Sequence, residues 1–302
     1  MSVPTRILVK LVKSGIEPKL ADFSECILNY FGLTSGSGSL YVELKDNYLI
    51  ISDVSQAGSD EVAIQHPTFC PMLHLSLEAV SLPDEISTRG VDVGASILLE
   101  SSDGKILLSK RARHLRIFPG LWVPPGGHIE ENETMLEAGL RELKEETGLN
   151  LKPSDCLQNK IYLLALWESV YPPKLSVGPP VRHHIVVYFH AKLLEDLTAE
   201  VMERRINFEP GEVDSCAWLD RDIVSAIAQS FDEDYDEGIN NDHLPKSFRA
   251  LVLDENQKQI FCDLPTEPLV RILSASADDK ERVSTGTKFA LQKLLQFEAD
   301  LL

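Results

Sequence analysis

The stretch from Gly126 to Leu149 reads GGHIEENETMLEAGLRELKEETGL. Gly127 is followed after five residues by Glu133, and after seven more by Arg141-Glu142-Leu143-Lys144-Glu145-Glu146-Thr147-Gly148-Leu149. A helix turns by about 100° per residue, so Glu142, Glu145 and Glu146 project within one arc of its surface. Three carboxylates side by side repel one another. Solvent dilutes that repulsion on an outer face paired with Arg141 and Lys144, whereas a divalent cation offsets it directly and takes the carboxylate oxygens as hard ligands. The glycines in register favour the second reading, with Mg2+ or Mn2+ as cofactor and Glu142, Glu145 and Glu146 as ligands. Gly126 and Gly127 follow Pro124-Pro125 and lack a Cβ, so their backbone can approach metal and phosphate closely. Asn132 is placed to N-cap the helix and Gly148 to end it in the left-handed conformation, while Met135, Leu136, Leu140 and Leu143 hold it on a sheet.

Outward from this helix, three segments are expected: a small α+β module over 1–88, a core domain over 89–235, and an acidic loop with a C-terminal extension over 236–302. In the first, Arg6 to Val12 alternates as an edge strand would, in preference to an organelle-targeting reading of Met1 to Ser14 from Arg6, Lys10 and Lys13. A helix around Ala21 to Phe31 follows, then a hairpin of Leu40 to Leu44 and Tyr48 to Ile51, and a linker over Ser81 to Gly90. The core domain opens with strands Val91 to Glu100 and Lys105 to Ser109 about the Ser101–Gly104 turn, and a later helix starts from Asp220 as its N-cap. Phe231 to Asp242 is strongly acidic and reads as a solvated loop. A hairpin over Phe248 to Asp263 and an amphipathic helix over Lys288 to Leu301 complete the chain.

The 302 residues are 43% apolar, and the longest apolar run, Ile161 to Trp167, is far short of a membrane span, so no membrane partner is expected. Five scattered cysteines without a CxxC pair fit reduced thiols and a cytoplasmic location. The formal net charge of −18 opposes an extended non-specific nucleic-acid surface, because Lys and Arg supply most of that affinity. An anionic nucleotide substrate is compatible with it, since metal ions bring positive charge. Arg111, Arg113 and Arg116 precede the glycine loop, and Arg111 and Arg116 are the expected phosphate-binding residues. His183 and His184 read as strand or structural residues. No oligomeric state is read from the sequence.

The glycine-to-leucine spacing resembles the complete Nudix box, and the resemblance extends from about Val91 to Phe231. It implies an α/β fold, a Nudix α/β/α sandwich with a mixed sheet, and a metal-dependent hydrolase of phosphoanhydrides in nucleoside diphosphate derivatives. It also implies that Arg141 pairs with Glu133 or Glu142 to orient the metal face, that Glu133 and Gly148 are structural parts of the motif, and that a glutamate before a strand ending in Ala217-Trp218-Leu219 is a further ligand or base. Glu212 is that residue by position, and Glu209 is its rival. The run Leu107 to Ala112 with Arg116 resembles the coenzyme A diphosphatases of the family, departing at Ser109 and Pro124. Taken whole, the chain is similar to a vertebrate Nudix group for which the implied substrate is the 5′ end of methylguanosine-capped RNA, cleaved to release methyl-GDP. A methylated guanine calls for an aromatic face, for which Trp167, Tyr171 and Tyr188 are available. A non-catalytic binding module is the third reading, opposed by the retention of every glutamate of the box.

Overall fold

Along residues 92–100, Val93, Ala95, Ile97 and Leu99 enter one apolar layer while Leu98 enters another, the period of two that a strand imposes. The computed structural model describes residues 6–75, 81–232, 243–272 and 281–300. Among them, the first part carries β1 (Leu8–Val12), β2 (Lys19–Leu20), α1 (Ile27–Phe31), β3 (Ser37–Lys45), β4 (Tyr48–Ser52), β5 (Asp60–Gln65), α2 (Pro71–His74) and α3 (Asp84–Ser87). The central part carries β6 (Asp92–Glu100), β7 (Ile106–Arg111), β8 (Trp122–Val123), β9 (Gly126–His128), α4 (Met135–Thr147), β10 (Tyr162–Tyr171), β11 (Arg182–Lys192), α5 (Ala199–Glu203), β12 (Val213–Leu219) and α6 (Arg221–Gln229). Strands β13 (Ser247–Leu253) and β14 (Gln259–Pro265) and helix α7 (Thr285–Asp300) follow.

The strands form one mixed sheet in the order β14-β13-β12-β7-β6-β11-β10-β5-β3-β4-β1-β2, with β8 on β7 and β9 on β6. Strands β6 and β11 run parallel over nine residue pairs, His184↔Asp92 to Lys192↔Glu100, and make the spine. One face packs against α4 through Ala138 and Leu143. The other packs against α6 and α7 through Ile223, Ile227, Phe289 and Leu294. The result is an α/β/α sandwich with a mixed sheet, as the sequence led us to expect. The sheet also curls: Leu8 of β1 pairs with Asp92 of β6, and Val9 N–H donates to Val91 O at 3.0 Å.

Several boundaries differ from the sequence reading. Strand β1 is not an edge strand, because β4 and β2 flank it. The first helix spans only Ile27–Phe31, since Ala21 N–H donates to Val9 O beside β1, a turn closes from Glu25 N–H to Asp22 O, and Cys26 caps the helix after it. Asn132 is not the N-cap of α4. It sits in a left-handed turn at φ 65°, and Thr134 caps instead, its hydroxyl accepting from Glu137 N–H while the Glu137 carboxylate accepts from Thr134 N–H. Gly148 does end α4 at φ 77°. The segment expected as a linker contains α3, and the terminal helix begins at Thr285 rather than Lys288. The expected acidic loop lies outside the described residues from 233 to 242.

Candidate active site

Helix α4 packs on β6, with Gly139 facing Ile97, so its carboxylate-bearing side meets β9. Gly126 and Gly127 are needed there. A Cβ on Gly126 would overlap the backbone of Ala95 and Ser96, and one on Gly127 would fall on the Glu142 carboxylate. Arg141 organises the helix surface: its Nε donates to Glu133 Oε1 at 2.7 Å, its Nη2 to Glu133 Oε2 at 3.1 Å and to His128 O at 2.8 Å. Its Nη1 donates to Glu142 Oε1 and to Glu145 Oε2, each at 2.9 Å. Each of the last two carboxylates keeps a second oxygen. Glu145 is 55% exposed at its side chain, against 14% for Glu142, and Glu146 is buried.

Glu146 is the most perturbed of the three. Burial pushes its carboxyl up to about 8, opposed by Arg111 and by Gly126 N–H, which donates to Glu146 Oε2 at 3.3 Å, and reinforced by Glu142 and Glu212. Glu142 is raised for the same first reason, burial, with Arg141 opposing and Glu145 and Glu212 adding to it. Glu142, Glu146 and Glu212 face one cavity of about 410 Å3. Carboxylate oxygens are hard donors that suit a divalent cation, and Glu142 and Glu146 present them to the cavity with Glu145 beside them on α4. Among the described residues, no three of these carboxylate oxygens lie within 4.8 Å of one another.

The cavity also receives Arg111, Arg116, Gly126 and Gly127. Arg111 gives Nη2 to Ile117 O at 3.3 Å, while its buried Nε has no hydrogen-bond partner among the described residues. Glu209 does not line the cavity; its Oε1 accepts from Gly211 N–H at 3.2 Å in its own loop. Glu145, Glu133 and Gly148 likewise lie off the cavity wall. Trp167 and Tyr188 are on the wall, and Phe118, at φ 51° in the loop before Gly120, packs edge-on to Tyr171 at 4.8 Å and near His184 at 6.1 Å. Burial drives His184 down to about 3, so its ring is neutral there. His183 is structural, with Nδ1 on Phe23 O at 2.7 Å and Nε2 on Glu168 at 3.0 Å.

Residues 90–237 match the NUDIX domain family. The chain is 42% identical over 301 residues to a Danio rerio protein named m7GpppN-mRNA hydrolase NUDT17, covering 98% of each. A Homo sapiens protein of the same name is 39% identical over 286 residues, 92% of this chain and 85% of that one. The chain belongs to the Nudix family. Among solved structures, the MutT protein of Methanosarcina mazei Go1 is similar with a TM-score of 0.33 at 20% identity, over 45% of this chain and 80% of that one.

The Nudix hydrolase's cavity is not walled by the Nudix segment alone. Pro67, Phe69, Cys70 and Pro71 come from before it, and Arg282, Ser284, Thr285 and Gly286 from after it. Sequence reasoning missed all of these. Phe118, just before Pro119 and Gly120 in the Nudix segment, was missed as well, and nothing near Phe69 or Arg282 has a spacing that marks a site. Among the described residues, no helix is long and apolar enough to cross a membrane.

Proposed function

We propose that this Nudix hydrolase cleaves the triphosphate bridge of methylguanosine-capped mRNA, releasing methyl-GDP and a 5′-monophosphate RNA. The likeness to proteins named m7GpppN-mRNA hydrolase carries the reading, because it runs through both flanks as well as the box. Both flanks contribute wall to the cavity, which is where substrate selection occurs. Glu142, Glu145 and Glu146 would hold Mg2+ or Mn2+, and a bound ion supplies charge neutralisation at phosphate oxygens and a more acidic water. Arg111, with its unpartnered Nε, and Arg116 hold phosphate oxygens. Gly126 and Gly127 let the backbone approach the phosphates. Arg141 fixes the rotamers of Glu142 and Glu145. Glu212, exposed at the cavity beside Glu142 and Glu146, accepts the proton of the attacking water. Phe118, on the cavity wall with neutral His184 and braced edge-on by Tyr171, offers the cationic base a stacking surface. Four buried cysteines and one exposed one, all unpaired, suit a cytoplasmic site of action.

Release of product from methyl-capped RNA, coenzyme A, ADP-ribose and a dinucleotide, with and without Mg2+ or Mn2+, tests this. Metal-dependent methyl-GDP release with the highest kcat/KM is the expected result. Faster coenzyme A turnover would replace the substrate, and no turnover of any would make the domain a binding module.

A further inference from the structure

Four chemistry-bearing side chains converge away from the α4 carboxylates, at the junction of the N-terminal segment with β10. Cys26 precedes α1, His66 follows β5, Cys70 precedes α2, and Glu168 lies on β10. All four are buried. One ligand atom from each of Cys26, His66 and Glu168 lies within 4.8 Å of the other two, and the buried Cys70 thiol is a neighbour of Cys26 outside that group. We propose that Cys26, His66 and Glu168, completed by Cys70, form a structural zinc site that fastens the N-terminal segment to the Nudix sheet.

The surrounding bonds are those a metal site uses to aim its ligands. A carbonyl only accepts, so His66 Nδ1, 2.7 Å from Pro67 O, carries its proton and leaves Nε2 with a lone pair. Glu168 Oε1 accepts from Ile27 N–H at 2.7 Å and is paired with His183 Nε2 at 3.0 Å, while Oε2 accepts from Leu28 N–H at 3.4 Å and from the Cys26 thiol at 3.5 Å, whose proton a bound zinc would replace. Cys26 Sγ accepts from Asn29 N–H at 3.4 Å, a bond that favours the thiolate. Mixed sulfur, nitrogen and oxygen donors in a closed, buried set suit zinc, whereas magnesium selects oxygen. With His183 paired to Glu168, a dication here would chiefly offset the buried Cys26 thiolate. Cys70 also lines the active-site cavity, so the site would fix one of its walls. No CxxC spacing announces it, since Cys26 and Glu168 are 142 residues apart.

Metal analysis of the full chain after chelator-washed desalting tests the proposal. About one zinc per chain is expected, kept in Glu142→Gln/Glu146→Gln and lost in Cys26→Ser and in His66→Asn. Cobalt substitution of the wild-type chain, which needs no variant to fold, should give thiolate-to-cobalt charge-transfer absorption and tetrahedral d–d bands. A wild-type chain that retains no zinc and shows no charge-transfer band on cobalt addition would overturn the proposal. So would zinc that survives Cys26→Ser but leaves with the α4 carboxylates.

Discussion

At the scale of the residue, Glu146 separates catalysis from stability. Its burial and its raised carboxyl mean that the folded chain gains little from the charge, so Glu146→Gln keeps the shape and removes an ionisable group. Turnover should fall by roughly 10²-fold or more while Tm stays level or rises, read by product release and a thermal melt. A variant with wild-type kcat would remove Glu146 from the site. Gly127→Ala should act through a neighbour: its Cβ displaces the Glu142 carboxylate, and a cost of about 1–3 kcal/mol appears as a roughly fivefold or larger rise in the metal concentration for half-maximal rate. If that concentration does not move, the glycine serves the backbone alone. Both residues were legible in the sequence because helical spacing and the absence of a Cβ are local properties. The cavity positions of Phe69 and Arg282 were not, because chain return brings them there across a long sequence separation.

Helix α4 shows what the sequence conveys about an element and where it misleads. Its apolar face, carboxylate arc and Gly148 stop follow from 3.6-residue periodicity and one left-handed position. Its start did not, because Asn132 and Thr134 are both capping residues and only the reciprocal bond between Thr134 and Glu137 selects one. Thr134→Ala should therefore cost about 1 kcal/mol in urea denaturation, and Asn132→Ala less. The reverse ranking would restore Asn132 as the cap. The short α1 is the complementary case: apolar residues from Ala21 to Phe31 suit a helix, yet Ala21 is bonded to Val9 of β1 and a turn at Asp22 to Glu25 follows before Cys26. A cross-strand partner cannot be read from a local window.

For the whole molecule, the far end of the β6–β11 spine is tied to the C-terminal helix through a buried charged group. Glu100 on β6 accepts from His190 Nε2 and from Lys192 Nζ on β11, each at 2.8 Å. Lys192 lies 3.9 Å from Glu298 on α7, and Glu298 also pairs with Arg221 of α6. Although burial opposes it, the bonds from His190 and Lys192 hold the Glu100 carboxyl near 2, below its ordinary 4.5. A folded pKa below the unfolded one means stability that is complete above about pH 4.5 and is lost as pH falls toward 2. Glu298 works the other way, since burial raises its carboxyl and acid relieves it, which offsets part of the loss. Urea denaturation at about pH 6 and about pH 3.5 should show the wild-type chain losing about 1 kcal/mol more than Glu100→Gln, while the variant is the less stable of the two at the higher pH. Equal losses would mean that Glu100 keeps an ordinary pKa, and the tie between the spine and α7 would then rest on the apolar contacts of Phe289, Leu291 and Leu294.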